Sequence, residues 1–291
     1  MNIYIFSKST ETYAPSRIIE EGKKRGHNVE NLFYKDLSIL LGPEKVRILI
    51  RGQGLEMPDA CILRVSGAGL LGPLFVYQRV ALIDFFDKEV VVVNRKTYQR
   101  WPRLNKLEQH YSMIRAGIPV VPGISFSSEE AIDFQKISFP IIAKTSFGSS
   151  GRGVFKLNNE KEFMDLVEER GVSNLIFQKF LTTRQDYRVI VIGGQALPQA
   201  MRKTAQEGEF LTNFARGGKV EGVPLTEELK SLAEKTAEAL QTDYAGVDVM
   251  YDEENNPYVL EINRGAQFQG FEQSTGINVA EEIVKYLEKG R

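Results

Sequence analysis

Short apolar runs alternating with longer amphipathic stretches give the first reading of the chain. Residues 2–6 read as a strand, and a stretch with Pro15 near its start, ending by Gly26, reads as an amphipathic helix. Apolar runs at 60–65 and 90–94 enclose a helical stretch at 74–86, which makes a small α/β lobe of residues 1–95. Residues 95–102, rich in charge and aromatics, read as a linker. Asn105 can cap a helix that stops at Gly117 ahead of Pro119, placing Lys106 in its first turn. Ser127 and Glu130 have capping-box spacing ahead of another helix. Strands follow at 140–144 and 154–157 around a glycine-rich loop, then at 175–180 and 187–192. Gly193-Gly194 turns the last of these back into a strand at 195–201. A helix over 226–240 carries Leu229, Leu232, Ala233, Ala237 and Leu240 on one stripe, and a helix over 278–287 closes the chain. The resulting division is 1–95, 96–180 and 181–291, without internal repeats.

At 291 residues the chain suits two or three lobes around a shared cleft. A net charge of -1 gives no global bias toward nucleic acid or membrane. The N-terminus has no basic leader and no apolar run is long enough to span a bilayer, so a cytoplasmic location is expected. The single cysteine, Cys61, excludes an internal disulfide and thiolate zinc sites. With only His27 and His110 as histidines, a bound metal would be a hard ion held by oxygen.

The chemistry concentrates in three places. Strands at 245–249 and 258–263 flank a polar turn at 252–257; if 252 faces 257, Asp248 lies opposite Glu261, and Asn263 shares its face. Two facing carboxylates repel unless a cation lies between them, and with an amide oxygen they match Mg2+; the alternative is a solvated polar face. The run Phe147-Gly148-Ser149-Ser150-Gly151-Arg152-Gly153 after Lys144 could cradle phosphate through backbone N–H groups, or be a plain hairpin turn. Pairing around Gly193-Gly194 puts Asp186 and Arg188 on one face with Met201 and Lys203, while Arg202, Lys203, Asn213 and Arg216 cluster nearby; arginines suit carboxylate and phosphoryl oxygens, although a solvated charged loop would have the same composition.

In order, these pieces resemble the ATP-grasp superfamily, specifically its RimK-like amino-acid ligases. The resemblance covers residues from Lys106 to the C-terminus, and more loosely the first lobe. It is carried by QEGEFLTNFARGG at 206–218, AGVDVM from Ala245, LEIN from Leu260 and STGINVAEEI from Ser274. It implies an α/β fold of the ATP-grasp type: a Rossmann-like N-terminal lobe, a central lobe with a glycine-rich lid including Gly148, Ser149, Ser150 and Gly151, and a C-terminal metal-binding lobe.

The resemblance also implies roles. Lys106 and Lys144 match lysines on the ATP phosphates. Gln178, Lys179, Phe180 and Leu181 match a hinge whose backbone reads adenine, and Asp186 matches a nucleotide-binding position. Asp248, Glu261 and Asn263 match metal ligands for Mg2+ or Mn2+, with two ions expected. Asn213 and Arg216 match positions near the γ-phosphate and acyl phosphate, and Arg188 an arginine near the reacting groups; Arg202 and Lys203 join this catalytic set. The implied reaction makes an acyl phosphate from an amino acid or other small carboxylate and passes it to an amine on a small molecule, peptide or carrier-protein terminus. A homo-oligomer, dimer or tetramer, is expected.

The chain departs from the RimK pattern at Lys179, at Lys203 and after Asn263, where it reads Arg264-Gly265-Ala266-Gln267-Phe268. LysX-type ligases, which modify a carrier protein's terminal glutamate, also place a phenylalanine in this loop, so these residues are expected to shape the acceptor pocket. Arg64 matches an arginine near the substrate cleft of relatives. A nucleotide-binding regulator without turnover and a small-molecule kinase are the competing readings of the same fold.

Overall fold

A computed structural model describes residues 1–8, 12–43, 45–64, 68–69, 72–73, 75–148, 153–206 and 219–290. Among these, three sheets carry the architecture. The first is parallel, with strand order Asn28–Phe33, Asn2–Ser7, Ala60–Leu63, Val91–Val93. The apolar runs of Ala60–Leu63 and Val91–Val93 fit a sheet covered on both faces, while the edge strand Asn28–Phe33 is partly polar. Helix Tyr13–Lys24 turns Ala14 and Ile18 onto it, and the chain's last helix, Val279–Lys289, joins the same core through Ile283 and Leu287. The N-terminal lobe is thus closed by the C-terminus. A small antiparallel sheet of Leu37–Leu41, Val46–Ile50 and Gln53–Gly54 was not expected; its first strand reads L-S-I-L-L, which lacks the two-residue alternation that marks a half-buried strand.

The expected linker is a helix, Arg95–Arg100. Arg95 folds back to donate to the carbonyls of Ile83, Phe86, Asp87 and Val90, satisfying the end of helix Val76–Phe85 and the turn beyond it. Just before it, Asn94 is 1% exposed and clamps the first sheet to the third. Its Nδ2 donates to Tyr244 O and Arg264 O, both at 2.8 Å, while its Oδ1 accepts from the backbone N–H groups of Asp243 and Tyr244. Asn94→Ala strands these buried backbone groups, and a loss of about 2–3 kcal/mol is expected in urea unfolding.

The central sheet is antiparallel, ordered Gly123–Ile124, Leu175–Lys179, Ile141–Thr145, Val154–Leu157. One face packs on helix Glu160–Arg170, where Phe163 stacks on Phe177 with ring centroids 4.3 Å apart. The helix expected after Ser127 is absent; residues Glu129–Ala131 and Phe134–Lys136 make single 3-10 turns. Ile132, Phe134, Ile137 and Phe139 all pack on the central core, and their spacing of two, three and two residues cannot place them on one α-helical stripe.

The third sheet is antiparallel: Lys219–Pro224, Gln199–Thr204, Gln185–Ile192, Tyr244–Tyr251, Pro257–Asn263, with Gln195–Ala196 also pairing the 185–192 strand. Val189, Val191, Val247 and Val249 face helix Glu227–Ala239, which Thr226 caps and whose Leu229, Leu232, Ala233 and Ala237 are buried as the stripe requires. The opposite face is apolar where it meets the N-terminal lobe and polar toward the central sheet. Helix Gln269–Thr275, also not expected, packs against that apolar end through Phe271.

Candidate active site

Two register shifts place the charged side chains. The 244–251 and 257–263 strands close with Tyr251 opposite Pro257, one residue tighter than expected, because Asp252 accepts from the backbone N–H groups of Glu254 and Asn256 and draws in the turn. That register would set Asp248 against Leu260 and turn Glu261 toward the apolar helix face. A β-bulge intervenes: Val249 pairs with Val259, but Asp248 pairs with Glu261, leaving Leu260 as the extra residue. Glu261 and Asn263 therefore point to the polar face with Asp248.

Around Gly193-Gly194, Ile192 pairs with Gln195 and Val191 with Ala196 as expected. Beyond Leu197-Pro198 the register has moved by two, so Asp186 faces Lys203 and Arg188 faces Met201. A shift of two keeps every side chain on its face. Lys203 Nζ lies 2.5 Å from Asp186 Oδ1 and 3.4 Å from Asp248 Oδ1, and Arg188 forks onto Asp248 with Nε and Nη2 at 2.8 and 2.6 Å. Arg202 is a correction: it alternates to the other face, opposite Tyr187, and pairs with Glu221, away from the other charged groups.

Helix Lys106–Arg115 brings the central lobe to this face. Asn105 and Glu108 form its capping box, and the Lys106 N–H donates to Ser146 O at 3.0 Å, joining the helix start to the end of the strand that bears Lys144. Lys106 Nζ then reaches Glu261 Oε2 at 2.6 Å. The next turn holds the edge of the third sheet, with Gln109 Oε1 accepting from Ile262 N–H at 3.0 Å and Pro119 O accepting from Val259 N–H at 2.8 Å. Gln109 and His110 were not singled out in the sequence, although they follow Lys106 by three and four positions on one helical face.

Lys106, Lys144, Arg188 and Lys203 meet Asp186, Asp248 and Glu261: four cations against three carboxylates, an excess that suits an anionic ligand. Burial and neighbouring Lys106 lower the Lys144 ammonium to about 8. Burial alone would raise the Asp248 carboxyl, but Arg188 and Lys203 outweigh it and hold it below the usual range. Glu261 is likewise raised by burial and driven well down by Lys106 and Asn263. Asn263 Nδ2 donates to Glu261 Oε1 at 2.9 Å, which turns its Oδ1 away from that carboxylate. Two carboxylates on opposed strands and an amide oxygen make a hard donor set, which fits Mg2+.

Across the cleft, Lys144 pairs with Ile176 and Ile142 with Gln178, so Lys144 and Gln178 share the face opposite the Phe163 core. Lys179 is exposed, Leu181 is buried, and Phe180 lies under Lys156 with Nζ 4.2 Å from the ring centroid. Gly148 is half-buried at the start of the loop. Ser149, Ser150, Gly151, Asn213 and Arg216 lie outside the described residues.

The residues after Asn263 are placed otherwise than expected. Arg264 donates to the carbonyls of Thr97, Trp101 and Arg103 with its guanidinium over Tyr98, and Phe268 is fully buried against Tyr13. Both side chains brace the lobes instead of lining a pocket. Arg64 supports the same loop, donating to Gly265 O and Ala266 O.

Residues 104–287 match the model of the RimK-like ATP-grasp domain and residues 1–96 that of the RimK PreATP-grasp domain. A probable alpha-L-glutamate ligase of Vibrio atlanticus is 31% identical over 300 residues, covering 99% of this chain and 96% of the relative. One from Nitrosococcus oceani is 28% identical over 297 residues with the same coverage. The fold resembles the ATP-grasp ligase PsnB complexed with minimal precursor, at a TM-score of 0.75 and 22% identity over 99% of this chain and 98% of that one. It also resembles the macrocyclase MdnC of Microcystis aeruginosa bound with the precursor peptide MdnA, at 0.73 and 16% over 99% and 100%.

Proposed function

The chain belongs to the RimK-like ATP-grasp ligases, and from that premise we propose that it activates a carboxylate as an acyl phosphate and joins it to the amine of an amino acid or peptide. The observation that carries this reading is the convergence of Asp248, Glu261 and Asn263 with Lys106, Lys144 and Arg188. A carboxylate is a poor electrophile toward an amine, and phosphorylation supplies the leaving group it lacks. Here Lys106 and Lys144 would hold the ATP phosphates, and Arg188 the carboxylate or its acyl phosphate, offsetting charge on the transferred phosphoryl. Asp248, Glu261 and Asn263 would hold magnesium or manganese, two ions in this reading, whose charge would offset that of the phosphates.

The lobes divide at 1–95, 96–180 and 181–291, with the nucleotide between the second and third. The names of the relatives point to two substrate classes, glutamate and a precursor peptide. Purified protein should release ADP with Mg2+ only when carboxylate and amine partners are both present. Mass measurement then separates the classes: ligation of an amino acid adds a residue, whereas ring closure within a peptide removes water. A phosphorylated product, or hydrolysis indifferent to any amine, would remove the ligase chemistry.

A further inference from the structure

Gln178 is 2% exposed, and both protons of its amide are spent inside the protein. Nε2 donates to Val121 O at 3.0 Å and to His110 Nε2 at 2.9 Å. The carbonyl of Val121 accepts only, so it fixes which end of the amide is the nitrogen. His110 Nε2 must then be the bare, accepting nitrogen, and its ring proton sits on Nδ1, donated to Lys106 O at 2.7 Å. Burial, reinforced by the charges of Lys144 and Lys106, keeps this ring neutral, lowering it to about 4 although Lys106 O opposes the shift. The other end of the amide, Gln178 Oε1, is buried and has no hydrogen-bond partner among the described residues. Buried acceptors are satisfied in nearly all proteins, so a bare one calls for a ligand. This one belongs to a strand position on the same sheet face as Lys144.

We infer that His110 is a positioning residue for the nucleotide base: with Val121 it locks the Gln178 amide so that Oε1 is presented as an acceptor for the exocyclic amine of adenine. The inference rests on the reading of 178–181 as the adenine hinge. It makes base choice a property of one rigid relay, running from the Lys106 carbonyl through a fixed imidazole tautomer to the amide. A 6-amino purine offers a donor to Oε1, whereas a 6-oxo purine sets oxygen against oxygen, the mismatch by which hydrogen-bonding sites discriminate. The relay also explains why His110 and Lys106 stand one turn apart: the same helix face meets the base end of the cleft through His110 and the carboxylate end through Lys106.

The chain has only two histidines, which makes the imidazole tautomer directly measurable in the unaltered protein by 15N NMR. One ring should be a neutral Nδ1–H tautomer at neutral pH; a His110 carrying its proton on Nε2 would overturn the inference, since the amide would then have to be reversed. Calorimetric binding of ATP and ITP supplies the second arm. The wild type should prefer ATP, and His110→Leu and Gln178→Met should each reduce the ATP-to-ITP ratio by about tenfold, the equivalent of one hydrogen bond. In the Gln178→Met background His110→Leu should cost no further selectivity, which a purely structural histidine would not predict. Ratios unchanged in both variants would overturn the inference with ATP binding intact. Failure of the wild type to bind either nucleotide would overturn the nucleotide reading itself, and the inference with it.

Discussion

Glu261→Gln should reduce acceptor-dependent ADP release by about 10²–10³-fold, the loss seen when one preorganised electrostatic partner of a reacting group is removed. The substitution keeps the shape of the side chain, and its amide oxygen can still accept from Lys106, although the NH2 in place of Oε1 cannot accept from Asn263. What disappears is the negative charge that faces Asp248 across the bulge and completes the oxygen donor set. Glu261 is only partly buried, so the fold should persist, with an unchanged far-ultraviolet circular dichroism spectrum. Near-normal Mg2+-dependent turnover in a folded Glu261→Gln protein would show that these carboxylates are not the metal ligands.

The largest stability effect should come from Arg188→Leu. The Asp248 side chain is 6% exposed and, among the described residues, keeps only the ion pair with Lys203, at 3.4 Å, once the bidentate guanidinium is gone. Leaving a buried carboxylate without its main partner should cost about 3 kcal/mol in urea unfolding, and Arg188→Leu/Asp248→Leu should recover most of it without recovering activity. The pH dependence has a definite sign. Arg188 and Lys203 hold the Asp248 carboxyl below its usual range against the effect of burial, so the stability the pair contributes is present above the unfolded aspartate value of about 3.9 and is lost as pH falls through the folded one. The gap between wild type and Arg188→Leu should therefore be widest near neutrality and narrow below about pH 4. A gap independent of pH would mean that packing of the arginine stem, not its charge, carries the effect.

The shared face of Asp186, Arg188 and Lys203 was readable from the sequence, because alternation along each strand survives a slip of two. The partners were not. Asp186 faces Lys203 because the hairpin slips by two at Leu197-Pro198, where proline cannot serve the ladder; the proline was visible as a breaker, but its size of slip was not. Asp248 meets Glu261 because a tighter turn and a bulge offset each other, and neither follows from residue pattern. Helix ends were legible where caps are local, as at Asn105 and Thr226. Elements held by distant contacts were not: Arg264 and Phe268 sit in a loop that resembles a substrate pocket in sequence, yet Tyr98 and Tyr13, far away in the chain, claim both. The place of His110 beside the cleft was not legible for the same reason, since its partner Gln178 lies 68 positions away.

The surplus residue at Leu260 means that the orientation of Glu261 is set by how the strand is paired and not by any side chain's chemistry. A chain that paired this strand straight through Leu260, without the bulge, would keep every acid, amide and lysine named above. Its glutamate would nevertheless be rotated into the valine layer beneath the sheet. The bulge alone, with no change of residue, therefore decides whether the two carboxylates meet.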